Sequence, residues 1–292
     1  MGVFCRGMVL DGSVRGMVVD STDICNAAQR IHSTTPVVSA ALGRTLTAAC
    51  LLGSLLKADT HSLTLQIKGD GPIGLVTAVS DATGNVRGYA QEPNVMLPKN
   101  AKGKLDVAGA VGRRGVVSVM RDYGLKEPYH GQTPIVSGEI AEDITHYLHV
   151  SEQTPCAVGL GVLVDRDWSV RKAGGFLVEV MPGAAEGTVA QLEETIASLP
   201  TLTDLLEGGN TPNQIFLLLF RGFDTIVLEQ SEKQYLCACS RDRMERALIA
   251  LGAVEIQSLV NEGEPVEIKC QFCGERHAFN IQHLCEMQRK LI

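Results

Sequence analysis

Between Pro36 and Lys57 the chain reads PVVSAALGRTLTAACLLGSLLK, a run that puts Ala, Gly and Leu on most faces of a helix. Thr35 and Pro36 supply an N-cap and a first helical residue with its φ already set. A helix with apolar residues on most of its faces is unstable in water and must be covered. Arg44 and several hydroxyls within the run favour a core helix over a membrane span. The rest of the chain therefore has to wrap this segment, and the flanking sequence is rich in strand patterns.

Residues 7–20, GMVLDGSVRGMVVD, alternate weakly about Asp11-Gly12 and predict a strand pair. LTLQIKGDGPIGLVTAVSDATGNVRGYAQ predicts three strands with turns at Gly69–Gly71 and Thr83–Asn85. Strand patterns continue in GVVSVMRDY, AVGLGVLVD and GGFLVEVMP. Ser137 is a candidate cap for a helix with Ile140, Ile144 and Leu148 on one face, and Glu139, Glu142 and Asp143 lie near its positive end. From Ala184 the pattern becomes helical, through GTVAQLEETIASL, LTDLLEGG and TPNQIFLLLFRGF. The expected fold is α+β: a sheet-rich N-terminal domain around a central helix (1–183), a helical linker (184–230) and a small C-terminal domain (231–292). In the last part Met244, Ala247, Leu248 and Leu251 have helical spacing that Gly252 ends. VEIKCQFCGERHAFNI reads as a hairpin, and QHLCEMQRKL as a closing helix.

Charge narrows the function. A net charge of −7 and a pI near 5.5 argue against nucleic acid as a partner, since phosphate binding is carried by Lys and Arg. Arg113, Arg114 and Arg121 form only a local cluster. The N-terminus has no apolar signal core, and Arg6 breaks the myristoylation pattern. A cytoplasmic chain without membrane attachment is expected, and in a reducing compartment its nine cysteines make a poor disulfide framework.

GDGPIG mimics a dinucleotide fingerprint, but Pro72 interrupts it and a strand follows where a helix N-terminus is needed, so it reads as a β-turn. Cys5, Cys25, Cys50, Cys156 and Cys285 have apolar or small neighbours and read as inert thiols. The remaining four differ. Cys237 and Cys239 sit one residue apart, then after 30 residues come Cys270 and Cys273, with Gly274 next. Residues i and i+2 of an extended segment face one side, so both members of the first pair can meet one ion. A Cys-x-x-Cys turn can supply the other two ligands of a closed, tetrahedral, structural zinc site. His277 is a spare donor that a complete shell does not need, and reads as a solvent-facing hairpin residue. A 62-residue segment buries little core, and a metal is an expected staple for it. The same thiolates are also targets of oxidants.

Cys-x-Cys, a long spacer and Cys-x-x-Cys at the C-terminal end resemble the redox-regulated 33-kilodalton heat-shock chaperone family. TPVVSAALGRTLTAA, IKGDGPIG, VRGYAQEP, SGEIAEDITHYLHVSEQTP, AGGFLVEVMPGA and NTPNQIFLLLF look like that family's segments, in its order and over nearly the whole chain. The resemblance implies a non-enzymatic, ATP-independent holdase that is a poorly active monomer when reduced and zinc-bound. It implies one zinc on Cys237, Cys239, Cys270 and Cys273, which oxidation converts into Cys237–Cys239 and Cys270–Cys273 disulfides. Ion release would then unfold the switch and linker, exposing surface for unfolding client proteins, with oxidised dimers expected. Two departures stand out: the five cysteines outside the motif, and Cys156 in SEQTPC, where the family is expected to carry a small hydroxyl residue. Two other readings compete. A thiol–disulfide oxidoreductase using Cys270 and Cys273 needs a lowered thiolate pKa and a strand-to-helix setting. A zinc-ribbon nucleic-acid adaptor needs basic fingers.

Overall fold

Alternation in the first twenty residues becomes a hairpin of β1 (Gly2–Val9) and β2 (Val14–Asp20), turned at Gly12 with φ +75°. α1 (Thr22–His32) leads into α2 (Pro36–Gly53), the apolar helix. β3 (Ser62–Gly69), β4 (Leu75–Asp81) and β5 (Val86–Ala90) follow as an antiparallel meander. After α3 (Val107–Val111), β6 (Gly115–Asp122) and β7 (Tyr129–Pro134) complete a five-stranded sheet in the order β5-β4-β3-β6-β7. α4 (Ala141–Ser151), β8 (Cys156–Val164) and β9 (Val170–Val180) return the chain to the first sheet. Then come α5 (Glu186–Ser198), α6 (Leu202–Glu207), α7 (Pro212–Leu219) and β10 (Thr225–Lys233), giving that sheet the order β10-β1-β2-β9-β8. This computed structural model describes residues 1–289.

The chain forms two compact units, Met1–Leu236 and a second that opens at Cys237. In the first, α2 packs against β8 and β9 of one sheet and β3, β4 and β5 of the other. Its residues are 89% buried, so the helix is a core element despite being long and apolar enough to span a membrane. Leu42, Leu46, Leu51 and Leu52 are each at most 1% exposed, and each such side chain stabilises the fold by about 1.5–3 kcal/mol. The helix ends at Gly53, short of the Lys57 expected from the sequence. A Cβ at Gly53 would lie 2.0 Å from Ser80 Oγ, so the backbone is pressed onto β4 there and the chain turns. Thr35 sits at the N-cap position, but its hydroxyl donates to the Val95 carbonyl instead of capping the helix.

α4 also starts differently from the sequence reading. Ile140, with φ +67°, precedes its first residue, and the buried carboxylate of Asp143 accepts from the N–H groups of Val136, Ser137, Gly138 and Ile140. That fourfold acceptance compensates a strained isoleucine, and Ser137 only receives the N–H of Glu139.

Strand alternation gives the first sheet two apolar faces. Phe4, Met17, Val19 and Leu177 face the main core, while Cys5, Val18 and Val178 face α5, α6 and α7. Gly7 and Gly16 are cross-strand partners, and a Cβ on either would overlap Phe216 or Phe220, at 2.6 and 2.3 Å. The paired glycines form a slot for the two rings. The sequence divisions at 183 and 230 thus fall within one compact unit: α5–α7 lie on the sheet's outer face, and residue 230 is inside β10, paired with β1.

The second unit contains α8 (Arg241–Ile249), α9 (Ala253–Glu262), the hairpin β11 (Val266–Lys269) with β12 (Arg276–Phe279), and α10 (Ile281–Arg289). α9 is absent from the sequence reading. The closing helix was expected to reach Leu291; Lys290 and Leu291 lie outside the described residues. The core of this unit is small, built on Leu248, Ile256, Phe279, Leu284 and Met287.

Candidate metal centre

The four paired cysteines all belong to the second unit. Cys237 and Cys239 flank Ala238 in an irregular stretch that ends at Ser240, whose hydroxyl accepts from the N–H of Arg243 and caps α8. The Arg243 guanidinium also donates to the Ala238 carbonyl at 3.1 Å, fixing the peptide between the two thiols. Cys270 and Cys273 occupy the turn between β11 and β12. Reciprocal backbone bonds, Cys270 N–H to Glu275 O and Gly274 N–H to Cys270 O, each 2.8 Å, close that turn. Gly274, with φ +76°, takes the left-handed position that lets the chain reverse.

These two local designs converge. Cys237 Sγ lies 3.7 Å from Cys270 Sγ, Cys239 Sγ lies 3.3 Å from Cys273 Sγ, and all four sulfurs lie within 4.8 Å of one another. A tetrahedral zinc ion with bonds of ~2.3 Å separates its sulfurs by about 3.8 Å, so the donor set fits a closed four-thiolate shell. Cys270 is buried and the other three are half-buried. Burial, reinforced by the neighbouring sulfurs, pushes the Cys237 thiol up to about 11 and Cys239 higher still. Cys270 is held below the ordinary thiol value: burial opposes ionisation, but the N–H groups of Cys273 and Phe272 outweigh it. Without a cation, then, burial works against ionising Cys237 and Cys239. A divalent ion supplies the charge that favours the thiolate form.

Two further donors adjoin the quartet. Glu275 Oε2 lies 3.5 Å from Cys239 Sγ, and the donor atoms of Cys239, Glu275 and His277 are within 4.8 Å of one another. His277 is half-buried, not the solvent-facing residue read from the sequence, and its Nε2 is shielded without a hydrogen-bond partner. Glu275 was missed. The turn hydrogen bonds that hold it beside Cys239 have no signal in residue spacing.

The other motifs do not form a second centre. GDGPIG is the β3–β4 turn, where Asp70 accepts from the N–H groups of Arg113 and Arg114. A Cβ on Gly69 or Gly71 would strike the Val111 or Ala110 carbonyl, at 1.9 and 2.3 Å, so these glycines serve the packing of α3. Cys5, Cys25 and Cys50 are buried, and Cys156 is half-buried opposite Glu179. Burial raises Cys5 to about 11 and the other three to about 12, with Glu179 and Glu152 adding to the effect at Cys156. Thiolate is the reactive form, so these four are expected to resist iodoacetamide near pH 7.5 in the native protein. Peptide mapping that found any of them alkylated as fast as in denatured protein would refute this.

An α+β body of two sheets about a central helix, with a small C-terminal unit whose four thiols converge, defines a class of protein with a metal-capable C-terminal unit. The Hsp33 protein family model matches residues 3–280. A 33 kDa chaperonin of Clostridium novyi (strain NT) is 44% identical over 286 residues, 98% of this chain and 97% of the relative. One of Enterococcus faecalis (strain ATCC 700802 / V583) is 44% identical over 287 residues, covering 98% and 96%. The crystal structure of a 33 kDa chaperonin (heat shock protein 33 homolog) from Thermotoga maritima superposes with a TM-score of 0.90 at 38% identity, covering 99% of this chain and 98% of that one. The chain belongs to the Hsp33 chaperone family.

Proposed function

We propose that this chain is a redox-regulated, ATP-independent holdase of the cytoplasm, held inactive by one zinc ion on Cys237, Cys239, Cys270 and Cys273. The observation that carries the reading is the convergence of four thiols in a unit with a five-residue buried core. Zinc, when bound, would neutralise the four thiolates and tie the Cys237–Cys239 segment to the hairpin. The chain's own part is to aim the sulfurs: Arg243 fixes the first segment and the Cys270–Glu275 turn fixes the second.

Peroxide is the natural trigger chemistry. Two thiols give up two electrons and two protons to hydrogen peroxide, one S–S bond forms, the O–O bond breaks, and two waters leave. With Cys237–Cys239 and Cys270–Cys273 both bridged, no thiolate remains to hold the ion. Opening would then pass along the chain through Leu236 into β10. That strand is an edge strand whose register with β1 shifts between Arg6 and Gly7. Peeling β10 away draws on α7, which packs against β1 and β2, and exposes the apolar outer face of the sheet to unfolding clients. In this scheme residues 1–183 are the stable core, 184–230 the releasable cover and 231–292 the sensor. The reduced chain is monomeric and the oxidised chain dimerises.

The enzyme reading fares worse. After Cys273 the chain enters β12 instead of a helix, so no helix N-terminus lowers a thiol there. The test is dosage. Peroxide-treated protein should suppress aggregation of an unfolding client at about one chain per client and without ATP. Disulfide exchange at one chain per hundred clients, with no stoichiometric protection, would favour the oxidoreductase.

A further inference from the structure

We infer that Glu275 and His277 form, with Cys239, a reserve metal position that overlaps the four-thiol centre, and that His277 replaces Cys273 as a zinc ligand when that thiol is lost. The inference rests on the zinc reading and extends it to residues that a four-thiol shell does not use.

Geometry gives the reserve position a side. The quartet has two close cross-contacts, Cys237 with Cys270 and Cys239 with Cys273. Glu275 touches Cys239, the partner of Cys273, at 3.5 Å. Cys239, Glu275 and His277 present one sulfur, one oxygen and one nitrogen within 4.8 Å of one another. Zinc accepts all three atom types at ~2.0–2.3 Å, so an ion on Cys239 can reach them by side-chain rotation. Cys270, whose sulfur lies beside Cys237, belongs to no such mixed donor group among the described residues.

His277 has no competing task. Its Nε2 is shielded from water and makes no hydrogen bond, an arrangement that costs free energy unless something binds there. Strand pairing holds the residue in place, since His277 is opposite Ile268 in the β11–β12 hairpin. The neighbouring turn bond from Cys270 N–H to Glu275 O keeps Glu275 at the mouth of the site. Loss of Cys273 alone, by alkylation or oxidation, would therefore leave Cys237, Cys239, Cys270 and His277 as a four-donor shell. Loss of Cys270 would not be repaired. The switch thus tolerates damage at one of its four thiols and responds to damage at another.

Cobalt(II) titration of the reduced full-length chain separates the two readings, because thiolate and imidazole ligands give different charge-transfer and d–d bands. Wild type is expected to show four thiolates. His277→Ala alone should keep that spectrum and one ion per chain. Cys273→Ser should bind one ion with three thiolates and one nitrogen, and Cys273→Ser/His277→Ala should bind on the order of 10- to 100-fold more weakly. Cys270→Ser should be as weak as that double variant, with or without His277. Since the bands report ligands on the metal, a variant lacking stable structure as apoprotein is still scored. Equal affinity and identical spectra for Cys273→Ser with and without His277 would overturn the reserve position while leaving the zinc reading intact. A wild type without four-thiolate bands would overturn both.

Discussion

Peroxide added to the reduced, zinc-loaded chain is expected to release the metal, melt the unit that opens at Cys237 and switch on client protection with one time course. The size of the effect follows from the size of the core. Leu248, Ile256, Phe279, Leu284 and Met287 form the buried apolar cluster of that unit among the described residues. A core of that size is small for a unit of more than fifty residues, and a metal is the kind of staple such a unit needs. Structural zinc supplies about 10–16 kcal/mol to small metallodomains. Its loss should therefore abolish folding of this unit, while the main core of the first, several times larger, stays intact. Limited proteolysis should cut beyond Leu236 only after zinc has appeared in a chromogenic chelator assay. Cys270→Ser should be cut there without any oxidant. Full client protection with zinc still bound and the C-terminal region still resistant would rule out unfolding as the trigger.

What the sequence disclosed was local. The buried helix at 36–53 could be read because apolar residues on most faces leave it one environment, and the hairpins because their turn residues adjoin their strands. The pairing of β10 with β1 could not, because its two strands lie more than two hundred residues apart. Where α2 stops depends on Ser80 pressing against Gly53, and where α4 starts depends on Asp143 collecting four N–H groups. Both are tertiary facts, and the second overrode the Ser137 cap signal. At the site, cysteine spacing sufficed to name the four sulfurs, since a Cys-x-Cys stretch and a Cys-x-x-Cys turn each aim two thiols at one point. It could not show that Glu275 lies beside Cys239, or that the His277 ring is shielded. Those depend on how the turn leads into β12, and a hairpin histidine in an isolated sequence is correctly expected to face water.

Loosening the cover of the first sheet is expected to activate the protein without touching a thiol. Phe216 is fully buried in the slot made by Gly7 and Gly16, 4.7 Å from the Phe220 ring. Glycine partners cannot expand to fill the space it leaves, so Phe216→Ala should cost about 3–5 kcal/mol. That cost falls on the packing of α7 against β1 and β2, because Phe216 belongs to the outer-face cluster while the main core lies on the other side of the sheet. The reduced variant should therefore keep its zinc, bind an apolar-surface dye several-fold better than wild type and protect clients without oxidant. The fragment 1–183 carries the same logic to its limit. It retains every buried residue of the main core, the last being Leu177, and lacks α5, α6, α7 and β10. It should unfold cooperatively and hold clients whatever the redox state. If Phe216→Ala exposed dye-binding surface yet left client aggregation unchanged, the outer face of this sheet would not be the client surface, and protection would have to come from the released segments themselves.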